Sequence, residues 1–136
     1  AERVTLFVVD RSAGKLRSRV AQAGTDALLS IDVDLDRGIA GQVARTGIPV
    51  RLRDAYDSPA FNPEVDRHTG YRTRSLLCLP VIDTTGDVIA VAQVLNKRSA
   101  GEFSASDEEH FREFLVPLAR LLRDLLALEV PGESTP

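Results

Sequence analysis

The chain has a single cysteine and neither methionine nor tryptophan among its 136 residues, and aromatics make up only 5%. One thiol excludes an intramolecular disulfide framework and argues against a cysteine-based zinc site. No apolar run approaches the roughly 20 residues needed to cross a bilayer, so no membrane partner is expected. No secretory signal opens the chain, and a cytoplasmic, reducing location is the expectation. A net charge of −3 and a pI near 5.4 offer no basic face, so no nucleic-acid partner is expected either. A chain without Met even at position 1 reads as a fragment of something longer, expected to be a sensor rather than an effector.

What is present is 43% hydrophobic residues, enough for one domain around one core. A chain of this length buries roughly two-thirds of its unfolded surface and needs no covalent staple. Residues 3–10 read as a central strand, 11–14 as a turn and 15–22 as a second strand, together a hairpin. Residues 28–35 alternate as a third strand with one wet face. A helix is expected over 36–47, with Asp36 as N-cap and Gly47 just past its end; Ile39 and Val43 share one face. Gly38, Ala40 and Gly41 crowd its first turn. A helix start stripped of bulk can admit an anion to its free N–H groups; the same pattern also suits close helix–sheet packing.

Residues 48–52 form a short edge segment, which suits Pro49. The long excursion over 53–70 carries its own punctuation, Asn62–Pro63 as cap and first helical residue and Gly70 as stop. Connections of this length in a compact domain are often functional, and Tyr56 and Phe61 argue for order, so a lid is expected. Strands over 71–83 and 87–97 form a second hairpin. The last segment, 107–129, carries Phe111, Phe114, Leu115, Leu118, Leu121, Leu122, Leu125 and Leu126 on a helical stripe, and Pro117 inside it is expected to kink the helix or interrupt a backbone bond. The stripe outruns one small sheet, so a second chain is expected to cover its end. Residues 131–136 read as a tail or linker. The order of elements predicts an α+β domain, an antiparallel sheet with helices on its faces.

The stretch 96–108, "NKRSAGEFSASDE", joins the last strand to that helix. Ser104 is placed as N-cap with Asp107 as a capping-box acid, and the acids of the first turn suit the helix dipole. Asn96, Lys97, Phe103, Asp107 and Glu108 also match the NKFDE signature of GAF domains of the cyclic-nucleotide type, as in phosphodiesterases and cyanobacterial adenylyl cyclases. The segment 36–81 resembles the pocket half of a phosphodiesterase GAF domain, and the similarity covers residues 3 to 128.

The resemblance implies a GAF fold over residues 1–130, without the family's usual first helix, and a Lys97–Asp107 salt bridge bracing the pocket floor. It implies a ligand phosphate at the helix start near Ile39 and Ala40. Asn62, Val65, Asp66 and Thr69 would come from the lid and Thr73 from the approach to the next strand. Thr5 would reach in from the first strand, Ala21 and Gln22 from the second, and Gln93 from the sixth, with Arg3 as a further candidate for a phosphate or purine edge. Threonines and amides can read polar purine edges at modest desolvation cost. Ala21 and Gln22 stand where several phosphodiesterase domains carry an aromatic and an acid. A lost stacking platform removes about 1–3 kcal/mol, and neutral Gln22 and Gln93 cannot accept from guanine N–H groups as a carboxylate does, which favours cAMP over cGMP.

The expected function is therefore a regulatory, non-enzymatic domain with no catalytic residue, metal or cofactor, whose small-molecule ligand is a cyclic nucleotide. It would signal through the C-terminal helix, in a homodimer formed through terminal helices. A ligand-free dimerisation module and a sensor of a different small ligand remain the alternatives. Cys78, in an apolar strand, is expected to be a core residue; His68 and His110 are expected on the surface.

Overall fold

A computed structural model describes residues 3–21, 28–70, 72–97 and 101–128. The strands are β1 (Arg3–Asp10), β2 (Lys15–Ala21), β3 (Leu28–Asp34), β4 (Val50–Leu52), β5 (Leu76–Ile82) and β6 (Val88–Leu95). The helices are α1 (Gly38–Thr46), α2 (Glu64–Thr69) and α3 (Ala105–Leu128). The six strands form one antiparallel sheet in the order β3-β2-β1-β6-β5-β4. The expected α+β architecture is thus the observed one.

Alternation along each strand sends successive side chains to opposite faces, and both faces are covered near the centre. On one face Phe7, Leu16, Leu76, Cys78, Val91 and Leu95 meet Ile39, Ala40, Val43 and Ala44 of α1, with Ala60 and Phe61 of the excursion alongside. On the other, Leu77, Leu79, Val81, Ala92 and Val94 meet Phe103 and Leu115, flanked by Phe111, Leu118 and Leu122 of α3. Burial on both sides is why β5 and β6 read as nearly continuous apolar runs instead of alternating. A register shift at Val81/Ile82, where Ile82 pairs with Val88 and Val81 with Ala90, leaves Ile89 as the extra residue of a bulge. The bulge turns Val88 to the α1 face, three residues before Val91.

Two helix caps differ from the sequence reading. The N-cap of α1 is Arg37, which makes no side-chain cap bond, and not Asp36. Gly38, the first residue of α1, adopts φ +73°, a left-handed conformation that glycine takes without strain. In the excursion the N-cap position falls on Pro63, not Asn62. Asn62 nevertheless accepts a bond from the Glu64 N–H at 3.1 Å. The α3 helix runs through Pro117 without a break; Pro117 is exposed, so the carbonyl it leaves without a backbone donor can turn to water. The ends marked by Gly47 and Gly70 are as expected, both left-handed.

Candidate functional site

The site is built where α1 begins and the 53–70 excursion crosses it. The first N–H groups of an α-helix have no intrahelical acceptor, and at α1 no side chain caps them. Beside this helix start lies a groove of about 360 Å³ lined by Asp36, Arg37, Gly38, Gln42, Arg45 and the strip Pro59–Pro63. The volume is at the lower end of small-molecule sites. Arg37 is held between Asp34 at 3.7 Å and Glu64 at 3.6 Å, bridging the α1 start to α2. Arg45 folds back to donate to the Leu35 carbonyl at 2.7 Å. Beside it Gly41 allows the helix to approach so closely that a Cβ there would lie 2.7 Å from the same oxygen.

Of the candidate ligand contacts among the described residues, only Asn62 lines this groove. Ile39 and Ala40 are buried in the core beneath it, with their backbone in the first turn of α1. Thr5 and Gln93 are directly paired across β1 and β6, on the same face of the sheet as Phe7 and Val91. Thr5 is buried and Gln93 half-buried. Arg3 opens β1 opposite Leu95. Ala21 closes β2 opposite Leu28; its side chain, those of Val65, His68 and Thr69, and the whole of Gln22 lie outside what the structure describes.

Asp66 and Thr73 are brought together, and with each other. Asp66 is 7% exposed. Its carboxylate accepts from the Thr73 N–H at 2.8 Å, the Thr73 hydroxyl at 2.8 Å and the Tyr56 hydroxyl at 2.7 Å. Burying a carboxylate is costly without such donors. The Tyr56 proton is held above its ordinary value, chiefly because its hydroxyl donates to Asp66. Arg72 lies over the Tyr56 ring at 3.8 Å and reaches Asp54 at 3.5 Å, while Phe61 meets the ring at 4.8 Å. The sequence reading used Tyr56 only as a sign of order and missed Arg72, Arg37, Gln42 and Arg45. No periodicity links these positions, so nothing in the linear pattern marks them.

The motif residues are also placed. Asn96 adopts φ 55°, a region asparagine tolerates better than most side chains. Fully buried, it accepts from the Arg74 N–H at 2.6 Å and donates to the Arg72 carbonyl at 2.9 Å. Lys97 meets Asp107 at 2.6 Å. Ser104 and Asp107 bond reciprocally, each backbone N–H to the other's side chain. Lys97, with the Ser104 N–H, holds the Asp107 carboxyl down to about 2. Phe103 is buried against the α3 face of the sheet, and Glu108 accepts from Arg112 at 2.9 Å.

A family model described as "GAF domain" matches residues 1–122. The chain belongs to the GAF domain family. Its sequence relatives include the dual 3',5'-cyclic-AMP and -GMP phosphodiesterase 11 of Drosophila melanogaster, 54% identical over 78 residues, covering 57% of this chain and 5% of the relative. They also include the dual 3',5'-cyclic-AMP and -GMP phosphodiesterase 11A of Takifugu rubripes, 39% identical over 126 residues, covering 86% of this chain and 14% of the relative. This GAF chain therefore spans only a small part of the curated relatives it matches. Among solved structures, the GAF domain of a phosphoenolpyruvate-protein phosphotransferase from Coxiella burnetii superposes with a TM-score of 0.76 at 21% identity, covering 95% of this chain and 76% of that one. That likeness speaks for the fold alone. The resemblance drawn from Asn96, Lys97, Phe103, Asp107 and Glu108 stands.

Proposed function

We propose that this GAF domain is a regulatory sensor whose ligand is a cyclic nucleotide, with cAMP preferred, and that it signals through α3. The observation that carries the reading is the uncapped start of α1 beside a groove roofed by the 59–63 strip, in a chain related to phosphodiesterases of cyclic AMP and GMP. Free backbone N–H groups at a helix start suit a single phosphate charge. Thr5, Gln93 and α1 share one side of the sheet, where a purine would be read, with Thr73 reaching in from the approach to β5. Neutral Gln93 supports the preference for cAMP, since it offers no carboxylate to guanine N–H groups.

Transmission to α3 has a physical basis in the same geometry. Residues 72–75 are bonded on one side to Asp66 of α2 and on the other to Asn96, which precedes the Lys97–Asp107 bridge at the start of α3. A ligand shifts such an element only if it binds two arrangements with different affinity. As a piece of a longer protein, the domain would act in a soluble, cytoplasmic setting, as a homodimer joined through α3. Any catalysis would belong to other parts of that protein.

The test is calorimetric titration with cAMP and, separately, cGMP. Saturable binding of cAMP, tighter than cGMP, is the expected result, with about 2.7 kcal/mol of added stability at 100 times Kd. Binding of neither nucleotide would falsify the reading. A second reading, a dimerisation module that needs no ligand, is favoured by the exposure of Phe114 and Leu121 on α3. Dimers insensitive to both nucleotides would select it.

A further inference from the structure

The buried carboxylate of Asp66 has three of its roughly four acceptor positions filled by the protein's own donors, two from Thr73 and one from Tyr56. These bonds tie three separate pieces of chain. Thr73 leads into β5, Asp66 belongs to α2, and Tyr56 belongs to the tight helical turn Ala55–Asp57. The two Thr73 bonds form the inner end of the cluster, since Thr73 is 1% exposed. The Tyr56 bond forms its outer end, since Tyr56 is 41% exposed. The ring is aimed from three sides: Asp54 caps its backbone N–H at 3.1 Å, Arg72 covers one face, and Phe61, a wall of the groove, meets it at 4.8 Å.

We propose that Tyr56 is a positioning residue for the ligand site, acting through Asp66 as the latch that sets how often α2 lifts. The proposal rests on the reading that a small ligand sits between α1 and the 53–70 segment. A ligand passing beneath the 59–63 strip must part that strip from the sheet. The strip is bracketed by Tyr56 and Asp66, so the bond between them closes the loop that has to open. It is also the bond of the cluster nearest solvent, where water can replace the hydroxyl once it parts. The role differs from a ligand contact: it fixes the rate of passage in both directions and leaves the balance between bound and free nearly unchanged.

The experiment compares the parent chain with Tyr56→Phe, which removes one oxygen and keeps the stacked ring. Two readouts are taken: backbone hydrogen exchange over residues 64–70 without nucleotide, and stopped-flow association and dissociation of a fluorescent cAMP analogue. Loss of a hydrogen bond to a charged group predicts about tenfold faster exchange in α2. Association and dissociation rates are expected to rise together by a similar factor, with Kd within about twofold. A merely structural role would lower the melting temperature and leave the association rate alone. Unchanged exchange over 64–70 overturns the proposal, as does a rise in the dissociation rate alone, which would make Tyr56 a direct contact. If the analogue does not bind the parent, the sensor reading falls and the ligand-site latch falls with it. Binding by the parent with unchanged protection in α2 overturns the latch alone.

Discussion

At Gly41 two opposing effects can be weighed directly. Alanine in a helix interior is favoured over glycine by about 1 kcal/mol. Here the added Cβ would lie 2.7 Å from the Leu35 carbonyl oxygen, a backbone atom already receiving the Arg45 guanidinium. Neither partner can move aside cheaply, and overpacking of this kind costs about 1–3 kcal/mol. Gly41→Ala is therefore expected to lower stability in urea unfolding, against the sign that helix propensity alone would give. The sequence showed the small residues of this turn and left both a guest anion and close packing open. Gly41 answers to close packing, and only the distance to Leu35, which the sequence does not carry, decides that.

At the scale of the element, the start of α3 was the most legible part of the chain. Ser104 and Asp107 carry their capping in their spacing, the Lys97–Asp107 bridge was implied by the family resemblance, and all three make the contacts expected. With Asp107 depressed to about 2, its contribution is complete above the unfolded carboxylate value of about 3.9. It is lost as pH falls from there through about 2. Asp107→Asn is expected to reduce stability at neutral pH, and the gap from the parent should close across that acid window in unfolding titrations. The lid was harder to read. Its caps were visible, but the start of α2 slipped by one residue, because local turn signals do not settle which of Asn62 and Pro63 takes the cap position. That Asp66 would face Thr73 and Tyr56 depends on three chain segments meeting, which no local pattern encodes.

Over the whole molecule, the layering was legible because the apolar strands announce burial on both faces, while the pairing order was not. Strand β1 lies between β2 and β6, a long-range adjacency that hydrophobic alternation cannot supply. The two faces are also unequally covered. On α3, Leu115 is buried, whereas Phe114 is 64% and Leu121 55% exposed, seven residues apart on one side of the helix. In the proposed homodimer this side meets its copy. Phe114→Glu combined with Leu121→Glu is expected to yield monomers in sedimentation while the fold survives, since neither side chain supports the sheet; a parent already monomeric at high concentration would count against the dimer.

Cys78 gives the same architecture a different use. It sits in β5 between β4 and β6, fully buried, and burial pushes its thiol well above its ordinary value. No reagent can reach the sulfur while α1 and its neighbours cover that face of the sheet, and almost no thiolate exists there to react. The chain thus carries an internal clock: the rate of its one alkylation event counts openings of the sheet's interior. Motions confined to the α3 face leave that clock silent, so loosening of the two faces of the sheet can be timed separately in one unlabelled molecule.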